Sequence, residues 1–159
     1  MKITIISVGK IKEKYFVDAI SEYSKRLSKY VSLDFVEVKD EPTKENSSDK
    51  ELEVVKQLEG ERIIEKLPKD SYVITLEIEG QMKSSEDFAS EIIRITNYHS
   101  SSIVFVIGGS LGLSKDVSNR SNYKLSFSTM TFPHQLMKVI LLEQIYRAFR
   151  INNNEPYHK

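Results

Sequence analysis

A glycine-rich segment is the first part of the sequence whose residue types suit chemistry. Gly108-Gly109-Ser110-Leu111-Gly112 follows a continuous apolar run, and glycines let a ligand approach the backbone because no Cβ stands in the way. The segment is neither a Gly-x-Gly-x-x-Gly dinucleotide fingerprint nor a P-loop, which needs Gly-Lys-Ser/Thr. The dinucleotide fingerprint follows the first strand, where only Gly9 is available. A conventional Rossmann cofactor site and ATP hydrolysis are therefore disfavoured.

The same segment also matches the Gly-x-Ser-x-Gly pattern of a hydrolase nucleophile elbow. Asp116 and then His134 (or His158) follow Ser110 in the order Ser, Asp, His. An elbow leads directly into a helix, whereas the residues after Gly112 predict a loop and a helix cap. Asp116 also follows the serine too closely for the usual triad. A serine hydrolase is therefore the weaker alternative.

No set of side chains is spaced to hold a metal ion. The sequence has no cysteine, which excludes disulfides, Cys-ligated zinc and thiol catalysis. The three histidines, His99, His134 and His158, form no His-x-x-x-His pair and have no carboxylates at ligand spacing. The sequence therefore predicts chemistry that needs no metal ion.

Strands and helices are predicted to alternate along the chain, which indicates a doubly wound, parallel α/β sheet. We expect one domain over residues 1–159. The predicted strands are 2–8, 33–38, 72–76, 103–107 and 123–127. The predicted helices are 12–30, 49–66, 86–98 capped by Ser85, a short one after Ser114, and one from Pro133, as its first helical residue, to about Phe149.

Ligands of open α/β sheets bind at the carboxyl ends of the strands. Three such ends carry distinctive residues, at 76–80, 108–112 and 127–133. We therefore expect any ligand site to be built from these three segments.

The last predicted helix is apolar over more than one face. A helix that is apolar nearly all round must be buried on more than one side. In a chain this small, one side would pack on the sheet and another on a second subunit. The helix therefore predicts a homodimer, with a central helix in a monomer as the alternative. Its apolar residues are Leu136, Met137, Val139, Ile140, Leu141, Leu142, Ile145, Tyr146, Ala148 and Phe149.

The net charge is zero, but the charges are unevenly distributed. Residues 1–33 hold seven Lys and Arg against three Asp and Glu, residues 34–91 hold eight against seventeen, and residues 92–159 hold eight against three. A fold that brings the two ends together has a basic side, which suits a polyanionic partner. No apolar run approaches the roughly 20 residues that cross a bilayer, and the start does not read as a signal peptide. We expect a cytoplasmic protein.

Five segments together resemble the RlmH family, the large-subunit rRNA pseudouridine N3-methyltransferases. This family is a minimal branch of the SPOUT superfamily. The combination is more specific than any one segment, and it covers the whole length of the chain. The segments are Met1–Lys10, Val106–Gly112, Leu125–His134, Leu141–Ala148 and Tyr157–Lys159.

The resemblance implies a SPOUT-type sheet with a C-terminal trefoil knot, an exception to the rule against knots. It implies S-adenosylmethionine as the cofactor and N3 of a pseudouridine in 23S rRNA as the methyl acceptor. The zero net charge indicates weak binding to free RNA, so we expect the assembled ribosome to be the substrate. Leu76 and Gly108 carry over as single cofactor contacts. The loop that wraps the cofactor carries over as Phe127, Ser128, Thr129, Met130, Thr131 and Phe132.

The resemblance also implies a catalytic role for the C-terminal tail. Arg147 would stabilise charge on the imide oxygens of the base, and His158 or Glu143 would take the N3 proton. Tyr157 belongs to the same tail, and residues 152–154 would give it reach. Without the resemblance, Glu143 and Arg147 are an i,i+4 ion pair and the tail is frayed. A binding module that has lost catalysis is the alternative function.

Overall fold

Strands and helices alternate throughout the chain, as the sequence predicts. The computed structural model describes residues 1–159. The strands are β1 (Lys2–Val8), β2 (Ser32–Val38), β3 (Tyr72–Met82), β4 (Ser102–Ile107) and β5 (Tyr123–Ser126). The helices are α1 (Lys14–Leu27), α2 (Asp49–Lys66), α3 (Ser85–Tyr98), α4 (Lys115–Arg120) and α5 (His134–Asn152). No helix combines the length and the apolar character that crossing a membrane requires.

The five strands form one sheet in the order β2-β1-β4-β3-β5, and every neighbouring pair is parallel. The predicted α/β class with a parallel sheet is therefore confirmed. β4 is the central strand, and its continuous apolar run is buried, as expected for a strand covered on both faces.

Alternate side chains of the central strands pack into two cores, one on each face of the sheet. Ile103 and Phe105 belong to the larger core, which α1, α3 and α5 cover. Val104 and Val106 belong to the smaller core, which α2 and α4 cover. Helices on both faces make the sheet doubly wound, as predicted.

β3 is longer than predicted and runs to Met82 rather than ending at Leu76. Its pairing with β5 is interrupted between Leu76 and Gln81, so residues 77–80 form a bulge, the β3 bulge. At Gly80 a Cβ would lie 2.8 Å from the backbone of β5, so only glycine allows this approach. The bulge thus holds β3 against β5 beyond the predicted strand end.

Two helix starts differ from the prediction by one residue. Ser84, not Ser85, caps α3, because its side chain accepts the Asp87 N–H; the Ser85 hydroxyl instead donates to Gln144. Pro133 has an extended ψ of 136° and precedes α5, so it is the cap position and not the first helical residue. Phe127 lies just beyond β5, and α5 ends three residues later than expected, at Asn152.

Every residue of α5 is buried or half-buried. It packs between α1 and α3 on the larger core. The chain therefore brings its first helix and its last helix together on one face of the sheet.

Candidate active site

Three adjacent strand ends converge at the predicted cofactor residues. β3 lies between β4 and β5, so Gly108, Leu76 and Phe127 follow one another across the carboxyl edge of the sheet. Leu76 pairs with Leu125 in register. The segment Phe127–Phe132, here the β5 loop, directly follows Ser126, whose hydroxyl donates to Ile78 O of the β3 bulge at 2.9 Å.

The β5 loop offers backbone donors that the protein leaves free. The Met130 N–H donates to Ser128 Oγ at 3.0 Å, but no other N–H of this loop bonds to a protein group. Two apolar side chains of the loop face solvent, since Met130 is 72% and Phe132 36% exposed. Free N–H groups beside apolar side chains suit a ligand that has a purine ring and an aliphatic chain.

The glycine-rich segment is a tight turn rather than a nucleophile elbow. Gly109 and Gly112 form an isolated antiparallel bridge, and Gly112 has a φ of +85°, which favours glycine. A Cβ at Gly108 would lie 2.9 Å from the carbonyl carbon of Gly112. The turn therefore requires its glycines for backbone reasons.

The hydrolase triad is not assembled. The Ser110 hydroxyl makes no hydrogen bond with either histidine, and the Asp116 carboxylate accepts from Gln57 Nε2 at 2.9 Å. Ser114, the residue predicted as a cap, does cap α4 by accepting the Val117 N–H. Ser110 is thus a residue of the turn.

The four predicted catalytic residues lie in one network. Arg147 Nη2 donates to Glu143 Oε1 at 2.7 Å, and the Tyr157 hydroxyl donates to the same oxygen at 3.1 Å. Arg147 Nη1 lies 3.2 Å from His158 Nδ1, and its guanidinium stacks over the Tyr157 ring at 4.7 Å. The contacts place the tail against α5.

The tail is anchored and not frayed. The Tyr30 hydroxyl donates to Glu155 Oε2 at 2.6 Å, and Arg150 donates to Pro156 O at 3.1 Å while pairing with Glu155. Asn154 adopts a left-handed φ of 53°. The asparagines therefore turn the chain back onto α5, which differs from the expectation that they extend its reach.

Glu86 and Gln144 complete the network, and sequence reasoning missed both. His158 Nε2 lies 2.7 Å from Glu86 Oε1, and Gln144 Nε2 donates to Glu143 Oε2 at 2.8 Å. Gln144 was adjacent to a residue already singled out. Glu86 had no local signal, because it is 72 residues from His158 and reads as an ordinary acidic residue in the first turn of a helix.

The partners of His158 assign its protonation. Arg147 can only donate, so Nδ1 must accept, and the proton lies on Nε2, which donates to Glu86. Two hydrogen bonds lower the pKa of the Glu86 carboxyl, first the one from the backbone N–H of Glu86 and second the one from His158. The ring is thus held as the neutral Nε2–H tautomer.

Glu143 keeps Arg147 charged and Tyr157 protonated. The hydrogen bond to Glu143 raises the pKa of the Arg147 guanidinium. Burial, and then the Glu143 charge, raise the pKa of the Tyr157 hydroxyl. The network therefore presents a fixed cation and a neutral imidazole side by side. No group of three or more His, Asp or Glu side chains is arranged to hold a metal ion.

Comparisons with known proteins agree with these features. Residues 1–158 match a family model described as "Predicted SPOUT methyltransferase". The chain is also 62% identical, over 159 residues and the full length of both chains, to a protein of Methanococcus maripaludis (strain C5). The name of that protein is "Putative ribosomal RNA large subunit methyltransferase H".

Proposed function

The chain belongs to the SPOUT methyltransferase family, and from that membership we propose that it methylates N3 of a pseudouridine in 23S rRNA, with S-adenosylmethionine as the donor. The name of the Methanococcus relative supports a large-subunit rRNA substrate. We further infer the trefoil knot of this superfamily in the C-terminal segment. The enzyme would act as a cytoplasmic homodimer on the assembled ribosome.

The β5 loop, together with Leu76 and Gly108, would hold the S-adenosylmethionine. Its free N–H groups suit the ring nitrogens of adenine and the carboxylate of the methionine part. Exposed Met130 and Phe132 suit the ring face and the aliphatic chain. Bound there, the cofactor supplies an electrophilic methyl group on a sulfonium sulfur. Fixing donor and acceptor in line is the main contribution a protein makes to such a transfer.

The tail network would prepare the acceptor nitrogen. N3 is an imide N–H between two carbonyls, so it is a poor nucleophile until its proton leaves. Arg147, held as a cation by Glu143, would stabilise negative charge on the imide oxygens. His158 or Glu143 would accept the proton, while Tyr157 would hold the tail against Arg147.

The observation that carries the proposal is the assembly of Glu143, Arg147, Tyr157 and His158 in one network. A binding module that only holds the cofactor has no need for a neutral imidazole fixed beside a guanidinium. The network therefore favours an enzyme over a module of the same fold that has lost catalysis.

The test is mass mapping of 23S rRNA nucleosides after incubation of ribosomes with the protein and methyl-labelled S-adenosylmethionine. We expect one labelled nucleoside, N3-methylpseudouridine, and no label with Arg147→Ala. Arg120→Ala is the matched control, since Arg120 ends α4 on the opposite face of the sheet. Label on another nucleoside, or none on ribosomes and free rRNA alike, would overturn the proposal.

A further inference from the structure

A second polar concavity lies beside the cofactor residues, at the carboxyl ends of β1, β2 and β4. This cleft, here the β1–β4 cleft, has a volume of about 700 Å³. Its wall includes Gly109 and Ser110 of the glycine turn, and Gly108 precedes them directly. The cleft and the predicted cofactor loop therefore share one turn. Its other principal residues are Gly9, Lys10, Glu59 and His134.

The topology of the sheet makes this a favoured place for a ligand. β1 and β4 are neighbours, but α1 after β1 packs on one face of the sheet and α4 after β4 packs on the other. Where adjacent strands send their connections to opposite faces, a crevice opens at the carboxyl ends. The β1–β4 cleft lies at this switch point, whereas two strands, β4 and β3, separate β1 from β5 and its loop.

A buried carboxyl group faces the cleft without a complete set of partners. Glu59 is only 6% exposed, and its Oε2 accepts the Glu41 N–H at 3.0 Å. Its Oε1 has no hydrogen-bond donor from the protein and lies 3.3 Å from the position of a Cβ at Gly109. Burial raises the pKa of this carboxyl. The free oxygen is not among the fully enclosed unpaired polar atoms of the protein, so it can accept a hydrogen bond from a ligand in the cleft.

Three lysines and four acidic residues line the cleft. Lys10, Lys12 and Lys39 line it, are exposed, and none of them pairs with a carboxylate. Two of the lining carboxylates have cationic partners outside the cleft lining, since Glu37 lies 3.8 Å from Lys138 Nζ and Glu41 pairs with Arg62. Asp40, beside Gly9, has no ion-pair partner. The lysines are therefore free for an anionic ligand.

Neutral hydrogen-bonding groups also line the cleft. Burial and the charge of Lys138 lower the pKa of His134, so its ring is neutral at pH 7 and has one donor and one acceptor. The N–H group of Ser110 donates to no protein group. The buried acceptor and the neutral polar groups suit the base and the sugar hydroxyls of a nucleotide, and the lysines suit its phosphate.

We propose that the β1–β4 cleft binds a ribonucleotide of the rRNA strand next to the nucleotide that is methylated. Glu59 contacts the donors of its base or ribose, and Lys10 and Lys12 contact its phosphate. The inference rests on the proposed function, because the shared glycine turn places this nucleotide beside the methyl donor. It assigns a substrate-positioning role to residues outside the tail network.

The first test is the steady-state kinetics of Lys10→Ala/Lys12→Ala and of Glu59→Gln on ribosomes. The lysine variant should raise KM about tenfold and leave kcat within twofold. It should also reduce the salt slope, which is the slope of the logarithm of the RNA-binding constant against that of the salt concentration, by about 1 per lysine. Glu59→Gln, which preserves the side-chain shape, should raise KM without changing the salt slope. The control is Lys25→Ala/Lys66→Ala, because both lysines lie in last turns of helices, at the opposite end of the sheet. KM and salt slope equal to those of the control would overturn the inference.

The second test does not need turnover. Titrating a uridine trinucleotide into the labelled protein should shift the amide signals of Gly109 and Ser110 and the ring signals of His134, and Lys10→Ala/Lys12→Ala should weaken this binding about tenfold. Uridine 5′-monophosphate should bind more weakly, and inorganic phosphate should shift only signals of the three lysines. If the wild-type protein does not methylate rRNA, the proposed function fails, and this titration alone then tests whether the β1–β4 cleft binds a nucleotide. Unchanged binding in the lysine variant overturns it.

Discussion

Glu143 and His158 differ in the hydrogen-bonding capacity they retain for a substrate. Glu143 accepts from Arg147, from the Tyr157 hydroxyl and from Gln144, so most of its lone pairs are occupied. The single acceptor nitrogen of His158 has only one donor, Arg147 Nη1 at 3.2 Å, so the loss of one long hydrogen bond frees it for a substrate. His158 is therefore the better candidate for the proton acceptor, and Glu143 positions Arg147 and the tail.

Replacing His158 by Ala should reduce methyl transfer by ~10²–10⁴-fold, the usual contribution of a general base. The affinity for S-adenosylmethionine should be unchanged, because the β5 loop is not touched. Single-turnover rates on ribosomes and calorimetric titration of the cofactor measure the two effects.

Glu86→Gln is the control for this substitution, since a glutamine oxygen still accepts the His158 Nε2–H. We expect its rate to stay within a few fold of wild type. A loss below tenfold in His158→Ala, with the pH profile of wild type, would reduce His158 to an orienting residue and leave Glu143 as the acceptor.

At the scale of the elements, local patterns predicted nearly all of the fold. The charged segment that ends before Pro68 predicted the full extent of α2, and the apolar run of β4 located the central strand. The misses depend on distant partners. The choice between Ser84 and Ser85 as a cap follows from Gln144, which engages the Ser85 hydroxyl from 59 residues away, and β3 lengthens because β5 pairs with it beyond the bulge.

The candidate site shows the same division. The glycine turn was recognisable from its own residues, whereas the tail was singled out only through the family resemblance. Glu59 was not recognisable, because it reads as one more acidic residue of a charged helix. Its burial follows from Gly60, where a Cβ would lie 2.2 Å from Ser114 Oγ, so α2 and α4 pack too closely there for any larger residue.

Lys138 of α5 is a buried charged residue with weak compensation for the loss of water around its ammonium group. It is 2% exposed, its Nζ lies 3.8 Å from Glu37 and 5.6 Å from the centre of the Phe35 ring, and it makes no hydrogen bond. Burial lowers its pKa below the ordinary value of 10.5. The folded protein therefore bears a desolvation cost for this charge.

Lys138→Met should raise the free energy of unfolding at pH 7 by about 1–4 kcal/mol, as when buried ion pairs are replaced by apolar residues. Loss of the lysine leaves no buried unpaired charge on Glu37, because the Glu37 side chain is 40% exposed and stays hydrated. The wild-type unfolded state binds more protons than the folded state between the lowered pKa and 10.5, so wild-type stability rises with pH there.

The advantage of Lys138→Met should consequently shrink as the pH approaches 10.5, the ordinary lysine value. Urea unfolding at pH 7 and at pH 10 measures it, with Lys25→Met on exposed α1 as the control. The pKa of His134 should also rise in the variant, because the Lys138 charge now lowers it. A destabilised Lys138→Met protein would show that the Lys138–Glu37 pair stabilises the fold.

At the scale of the whole molecule, α5 has apolar side chains that the two cores do not use. Leu136, Val139 and Ile140 are half-buried, yet none of them belongs to either core. They lie on one helix at spacings that place them close together. A second copy of the chain would cover them, which agrees with the homodimer that the sequence predicts.

Light scattering at micromolar concentration should therefore give about twice the 18.4 kDa chain mass. Ile140→Arg should give a monomer that remains folded, because Ile140 is not part of a core. Ile93→Arg, on the exposed face of α3 where Ile93 is 42% exposed, should remain a dimer. A monomeric wild type would contradict the interface and would leave the apolar residues of α5 to another partner.

The cofactor prediction also belongs to the whole molecule, because the β5 loop joins β5 to α5 and its occupation should stabilise both. A ligand that binds only the folded state stabilises it by ~2.7 kcal/mol at a hundredfold excess over its Kd, which for a chain of this size shifts Tm by roughly 5–11 °C. S-adenosylmethionine and its demethylated product should both give this shift in scanning calorimetry. NAD and ATP should not, because the glycine turn lacks both the dinucleotide fingerprint and the P-loop lysine.

Met130→Glu/Phe132→Glu should abolish the shift with little change in the Tm of the free protein, since both side chains are exposed. An equal shift in that variant would place the cofactor away from the β5 loop.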